Sequence, residues 1–422
     1  MVKRVECHII KPGHQFYSEI DALCLASKNL YNCVMYSARH SFFYGYGIPS
    51  LAQLHTFFKD SEQYKALPAK VSQLVIKQVC DAWDSYFKAL EVWKQEPEKF
   101  TGKPKIPGYA ENRNLVKYNN QAYSKKELKK VKLVNPSMSN IWVPAHPSIT
   151  VDNLCEVRLV PKVGCYVIEI VYEVETAEII QQNERVAAID LGLDNLATVV
   201  FNVTQLQPFI INGKPLKAAN QWWNKQKAWL QGLLPEGQHS SKRIEAITRK
   251  RNCYVDHYLH NASRTMVTEL LKRGVSKVVI GKNADWKRNV NLGRVNNQQF
   301  VQIPYNKFID LLTYKLNVAG IEVAVEEESY TSKASFLDWD SIPTYDPEVT
   351  EKPKFSGKRV KRSWYKASAR TLIHADVNGA YNIGRKVIPT AFAHLQQILP
   401  LRPQRASLDL RQSPEVAAQR TP

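Results

Sequence analysis

The chain has 422 residues, more than one hydrophobic core usually covers, so two or three domains are expected. A hydrophobic fraction of 44% suits a folded protein, and 58 Lys plus Arg against 39 Asp plus Glu give a net charge of +19 with a pI near 9.5. That excess points to a polyanionic partner, nucleic acid before a membrane surface, and no run approaches the roughly 18 consecutive apolar residues of a membrane span.

Val5 to Ile10 reads as a strand that Lys11-Pro12-Gly13 breaks. Ile20, Leu23, Ser27, Leu30, Tyr31 and Val34, then Val71, Leu74, Val75, Val79, Trp83, Phe87 and Leu90, recur at helical spacing and frame a helical region over 15–96. Its many aromatics, among them Tyr31, Tyr36, His40, Phe42, Phe43, Tyr44 and Tyr46, could stack on bases, but packing between helices is the commoner use of such residues. Glu96-Pro97 ends the helix, and a proline-rich stretch to Tyr109 follows. The pattern then turns to β, with Ile141 to Pro144, Val157 to Val160 and Tyr166 to Glu173 as strands of a small barrel or curled sheet. Within it, the basic run Lys125 to Lys132 is either a phosphate-tracking or a solvated face.

Ala187 to Val200 reads as a hairpin with Asp190 at the buried end of its first strand. A third strand surrounds Phe209 to Ile211, and Asn212-Gly213-Lys214-Pro215 opens a helix. A long helix carries Ile244, Ile247, Tyr254, Tyr258, Ala262, Met266 and Leu270, and Arg251 interrupts that stripe. Lys277 to Gly281 is a buried strand, Pro304 opens a helix on Phe308, Leu312 and Leu316, and Ile321 to Glu326 is a fifth strand. With a closing helix from His374 to Ile388, the order is that of an RNase H-like fold. Beyond Pro389 little periodicity remains, and 389–422 is expected to be a disordered tail.

The seven cysteines, Cys7, Cys24, Cys33, Cys80, Cys155, Cys165 and Cys253, are odd in number and form no Cys-x-x-Cys pair. They read as reduced, mostly buried thiols with no structural zinc. Met1-Val2-Lys3-Arg4 is not a signal-peptide start, so a cytoplasmic, nucleoid-associated protein is expected.

Hydrolysis of a phosphodiester with two metal ions needs acids on at least three elements, and Mg²⁺ suits such all-oxygen sites. A buried Asp190 is costly unless paired or metal-bound; capping its own turn is the plainer reading. Asp376 begins the closing helix, where a helix cap is the plainer role, although that leaves Asn378 and Asn382 unexplained.

Asp190 to Thr198, Tyr330-Thr331-Ser332-Lys333, and Asp376 to Ile383 resemble the RuvC motifs of TnpB proteins, transposon-encoded RNA-guided DNA nucleases related to the type V CRISPR effectors. The resemblance runs from residue 1 to about 390. It implies an α+β multidomain fold: a wedge-like β-barrel domain from 1–14 and 97–182, a helical recognition domain over 15–96, and a RuvC nuclease domain from 183–330 and 371–388. A degenerate target-nucleic-acid-binding insertion without zinc ligands would fill 331–370. It further implies two Mg²⁺ ions, a guide RNA from the transposon end, double-stranded target DNA cut beside a short flanking motif, and a monomer or weak dimer. No membrane partner is expected. Expected nucleic-acid contacts are Lys125, Lys126, Lys129, Lys130, Arg249, Lys250, Arg251, Lys358, Arg359, Lys361, Arg362 and Asn378.

Two departures stand out. Gly281 occupies the position where the family pattern has a catalytic Glu, and no Cys follows Cys253, so the four-cysteine zinc element is missing. The insertion is therefore expected to fold on Phe336, Trp339, Trp364 and Tyr365. An acid from the run Glu326-Glu327-Glu328 is expected to replace the lost glutamate, because that strand neighbours the one ending at Gly281; a solvated strand end is the plainer alternative. The resemblance favours Glu328, making Asp190, Glu328 and Asp376 the catalytic and metal-binding set. The competing functions are a nuclease-dead RNA-guided DNA-binding protein and, on weaker grounds, a transposase that joins DNA directly.

Overall fold

The structure is a computed structural model that describes residues 1–175, 184–282, 302–344, 353–396 and 401–408. Contacts divide the chain into two compact units that meet in sequence at Val174 and Glu175.

In the first unit, strand β1 (Val2–Ile10) precedes α1 (Tyr17–Phe43), α2 (Leu51–Phe58), α3 (Glu62–Lys65) and α4 (Ala69–Gln95). Strand β2 (Val116–Asn119), helix α5 (Lys125–Val131), the short strands β3 (Leu133–Val134) and β4 (Val143–Pro144), then β5 (Leu154–Lys162) and β6 (Cys165–Val174) follow. The main sheet runs β1-β6-β5-β2, and β3 pairs only with β4. The predicted stripes bury Ile20, Leu30 and Val34 of α1 and Val71, Val75, Val79 and Trp83 of α4 in one cluster with Val157, Leu159, Ile168 and Ile170 of the sheet. Helical and β portions, expected as separate domains, therefore share a core, because the sheet's apolar face is covered by those two helices. Arg113 and Asp21 strengthen that join with a paired contact of 2.8 and 2.9 Å. The basic run is helical, not β: Ser124 caps it, Leu128 alone is buried, and Lys125, Lys126, Lys129 and Lys130 are exposed. Tyr36, Phe43, Tyr44 and Tyr46 are exposed too, so inter-helix packing does not account for them.

The second unit is built on a six-stranded sheet in the order β11-β10-β7-β8-β9-β15. Strands β7 (Val186–Leu191), β8 (Asn195–Phe201) and β9 (Phe209–Asn212) are antiparallel neighbours, while β10 (Lys277–Lys282) runs parallel to β7 and to β11 (Glu322–Glu327). Between them lie α6 (Lys214–Gly232), α7 (Lys242–Lys272) and α8 (Tyr305–Val318). Alternation divides the strands between two layers. Ala187, Ile189, Val278 and Ile280 pack on Tyr258, Met266, Phe308 and Leu312; Ala188, Val200 and Val279 pack on Val377, Ala380 and Ile383.

That second layer is helix α9 (Ala375–Val387), preceded by a three-stranded antiparallel sheet of β12 (Lys358–Lys361), β13 (Trp364–Lys366) and β14 (Leu372–His374). The expected tail from Pro389 is corrected over its described residues. Helix α10 (Pro389–Phe392) and Leu395 are anchored by buried side chains, and β15 (Gln404–Arg405) adds to β9 in parallel. Phe392 wedges against Gly384, a contact that periodicity counting over so short a segment does not reveal. Residues 409–422 and the expected boundary at 182 and 183 lie outside the described residues. Among the described residues no helix is long and apolar enough to cross a membrane. No disulfide joins the seven cysteines; Cys24 and Cys165 are buried, four are intermediate and Cys7 is exposed.

Candidate active site

Asp190 is the penultimate residue of β7, and the i, i+2 rule turns it to the same face as Ala188, toward α9. The helix can come this close because Gly379 has no side chain: a Cβ there would lie 3.0 Å from the Asp190 carboxylate. One residue beyond the last β10–β7 pair, Ile280 with Ile189, β10 presents Gly281 opposite Glu326 of β11. A Cβ on Gly281 would fall 2.6 Å from Oε2 of Glu328 and 2.5 Å from Cδ1 of Ile383. The hollow left by the missing glutamate thus holds the carboxylate of Glu328.

The neighbouring acids are arranged differently. Glu326 is exposed. Glu327 turns away to a 2.5 Å ion pair with Lys386 and accepts a hydrogen bond from the Ser329 backbone N–H at 2.6 Å. Burial alone would raise its carboxyl pKa, but these two partners outweigh burial and hold it below the usual value.

Asp376 opens α9. Its Oδ2 accepts a hydrogen bond from the Asn195 amide at 2.8 Å, and Arg359 of β12 reaches its other oxygen at 3.6 Å. The three predicted acids act on one another. Asp190 is held well above the ordinary carboxylate range by burial first, then by the negative charges of Glu328 and Asp376, with Arg359 pulling the other way. Tyr305, at the start of α8, donates to the Gly192 carbonyl at 2.9 Å, and its hydroxyl is pushed up by burial and then by Asp190 and Glu328. Sequence reading missed Asn195 and Tyr305. Asn195 lay inside a recognised motif, four residues past Leu191, and nothing local marked Tyr305 except the proline before it.

Among the described residues no three His, Cys, Asp or Glu groups close on one point tightly enough to cage an ion unaided. Mg²⁺ needs no such cage, since it keeps several waters and takes substrate phosphate as a ligand, so an acid trio of this kind fits it.

The predicted nucleic-acid residues fall into two groups. Lys250, Lys358, Arg359, Lys361 and Arg362 are exposed, as are the four lysines of α5 in the first unit, and Arg249 is half-buried. Arg362 also forms an ion pair with Asp194. Arg251 and Asn378 are corrected. Arg251 is spent inside the protein, on the Asn220 side chain at 2.7 Å and the Gln302 carbonyl at 2.7 Å. Asn378 is fully buried, accepting from the Phe336 N–H at 2.9 Å and donating to the Ala334 carbonyl at 2.8 Å. Asn382 bonds the Thr331 and Ala334 carbonyls, and Arg385 reaches Asn382 and the Asp340 carbonyl. The two asparagines therefore fasten the start of the insertion to α9. Asn378→Ala should lower stability by about 2 kcal/mol, because it strands the buried Phe336 N–H and removes one of the two donors to the Ala334 carbonyl, and a thermal melt would read the loss.

In the insertion, Phe336 is buried and stacks on Tyr381 with centroids 4.8 Å apart, while Trp339 meets Phe336 edge-on at 5.4 Å. Tyr365 is buried as well, and Trp364 lies edge-on to His374 at 6.3 Å. Two carboxylates knit the segment: Asp340 accepts from the backbone N–H groups of Ser335 and Ser356, and Asp338 from that of Ser368.

Residues 169–287 match the OrfB_IS605 family, described as "Probable transposase", and residues 305–383 match the Cas12f1-like TNB domain. No curated protein sequence matches. Among solved structures, the mini-RNA-guided endonuclease CRISPR-Cas_phi3 is similar at 10% identity and a TM-score of 0.50, covering 91% of this chain and 92% of that one. A Cas12f1-sgRNA-target DNA complex is similar at 15% identity and a TM-score of 0.35, covering 91% and 99%. CasPhi-2 (Cas12j) bound to crRNA is similar at 10% and 0.43, covering 93% and 98%. The chain is thus a mixed α+β protein with a Cas12-like fold. More narrowly, the two sequence matches make parts of its second unit similar to OrfB_IS605 proteins and to the Cas12f1-like TNB domain, the stretches that carry Asp190 and Asp376.

Proposed function

We propose that the protein is a transposon-encoded, RNA-guided DNA endonuclease that uses Mg²⁺ and cuts beside a short flanking motif. The observation that carries this reading is the Glu328 carboxylate in the space Gly281 leaves open, close enough to Asp190 to raise its pKa. A protein that only bound DNA would have no use for a cluster of half-buried acids held so close that their charges repel. The sheet order supports an RNase H-like RuvC domain, and the +19 charge with its exposed cations supports polyanion binding.

On this reading Asp190, Glu328 and Asp376 would hold the two ions, whose chemistry when bound is to activate water and stabilise the leaving oxygen. The chain's other residues position and discriminate. Asn195 fixes the orientation of Asp376, Tyr305 braces the turn after Asp190, and Arg359 is available to a phosphate brought against the acids. The guide would supply sequence specificity by base pairing, with the basic surfaces gripping backbone.

The test is purification at moderate salt followed by RNA extraction and a cleavage assay on a duplex matching the recovered guide. Bound RNA and guide-dependent double-strand cutting are expected. Protein with the absorbance ratio of bare polypeptide and no extractable RNA would defeat the guided reading.

A further inference from the structure

Beside the acids, the second unit has a cleft of about 530 Å³ lined by Lys214 and Lys217 of α6, Arg362 from the turn after β12, and Arg405 of β15. Such a volume lies within the range of sites for small ligands or single nucleotides. Its one carboxylate, Asp194, is bonded by Lys217 at 3.2 Å and paired with Arg362, so it aligns two cations while leaving the lining strongly positive. Lys214 and Arg405 are exposed and have no ion pair among the described residues.

The cleft adjoins the acid cluster through shared residues. Asn195 lines it and bonds Asp376 at 2.8 Å; His374 lines it two residues before Asp376; and the carbonyl of Arg362, in the turn after β12, accepts a hydrogen bond at 2.9 Å from the side chain of Arg359, which reaches Asp376. A strand laid against Asp376 therefore has its neighbouring phosphates beside four cations. The residues come from α6, the insertion and the C-terminal strand β15, three segments that sequence order keeps far apart.

We infer that this cleft is a subsite for the backbone of the DNA strand being cut, holding the nucleotide next to the scissile phosphate, with Lys214 and Arg405 as its phosphate-positioning residues. The inference rests on the nuclease reading for the identity of the strand, while the cleft itself can be probed without it.

The probe is a short thymidine homopolymer, bound to the full-length protein over a range of salt concentrations, with Lys214→Ala/Arg405→Ala as the variant. Each phosphate contact on a single strand contributes about 0.7 to the log-log salt slope, so losing two should make the slope shallower by about 1.4. In the guide-loaded complex, 4-thiothymidine in the target strands should cross-link to peptides containing Lys214 or Arg405, whereas 4-thiouridine in the guide should not. An unchanged slope in the double variant, or a cross-link to these peptides from the guide in place of the DNA, would overturn the assignment. Failure of the parent protein to cut a guided target would sink the nuclease reading alone, because homopolymer binding reads the cleft directly.

Discussion

Glu328→Gln is expected to abolish DNA cleavage as completely as Asp190→Ala or Asp376→Ala, while guide-directed DNA binding stays near the parent level. The loss should be on the order of 10³-fold, the scale seen when a site loses one group that stabilises developing charge. Binding survives because it rests on base pairing and backbone contacts. Folding should survive as well: burial first, and then the negative charges of Glu328 and Asp376, raise the Asp190 carboxyl above its ordinary range, so neutralising Glu328 removes one source of repulsion. Glu326→Gln should leave cleavage intact because that side chain is exposed. Glu327→Gln should cost a little thermal stability through the lost Lys386 pair and spare the chemistry. Single-turnover cleavage rates across the three variants decide the matter; parent-level cutting by Glu328→Gln with loss in Glu327→Gln would transfer the role to the neighbour.

The second large effect concerns the residue that has no side chain. Gly281→Ala inserts a methyl group at 2.6 Å from the Glu328 carboxylate and 2.5 Å from Ile383, closer than atoms can stand, so one of them must move. Overpacking of this kind costs about 1–3 kcal/mol. If Glu328 is the group displaced, cleavage should fall by about 10- to 100-fold, the scale of disturbing the support of a metal ligand. Gly281→Glu in the parent background should be worse, since two carboxylates then compete for one hollow. Combined with Glu328→Ala, the same Gly281→Glu should recover part of the lost rate by supplying an acid from the adjacent strand. Parent-level cleavage and melting temperature in Gly281→Ala would show that the hollow does not seat Glu328.

Much of this arrangement is legible in the sequence because strand and helix periods report burial directly. The hairpin whose first strand ends near Asp190, the strands at Lys277 and Glu322, and the helix at Ala375 all follow from apolar runs and glycine punctuation. Other features depend on tertiary contacts that a linear pattern does not encode. Asn378 looks like a polar residue poised at a site, yet its amide is consumed by Phe336 and Ala334, residues more than 40 positions away. Arg251 breaks an apolar stripe in the manner of a surface cation, but it answers the Asn220 side chain and the Gln302 carbonyl. Two successive acids, Glu327 and Glu328, separate into structural and site positions because the strand ends between them, where simple alternation stops being a guide.

Strand β15 is two residues long, but it occupies the outer margin of the sheet beside β9. The N–H of Gln404 bonds the carbonyl of Pro208, just before β9, at 2.8 Å, and that of Ala406 bonds the Ile210 carbonyl of β9 at 3.0 Å, so those acceptors are already taken. An unprotected margin is a template on which a second chain can assemble, and proteins commonly block it with a short strand or charged side chains. Strand β15 therefore covers that part of the margin, and Arg405, which lines the cleft, sits on it. A chain shortened before Leu401 is expected to bare that margin and to remove Arg405 from the cleft in one step, read as a lower soluble fraction after centrifugation together with a shallower salt slope for homopolymer binding.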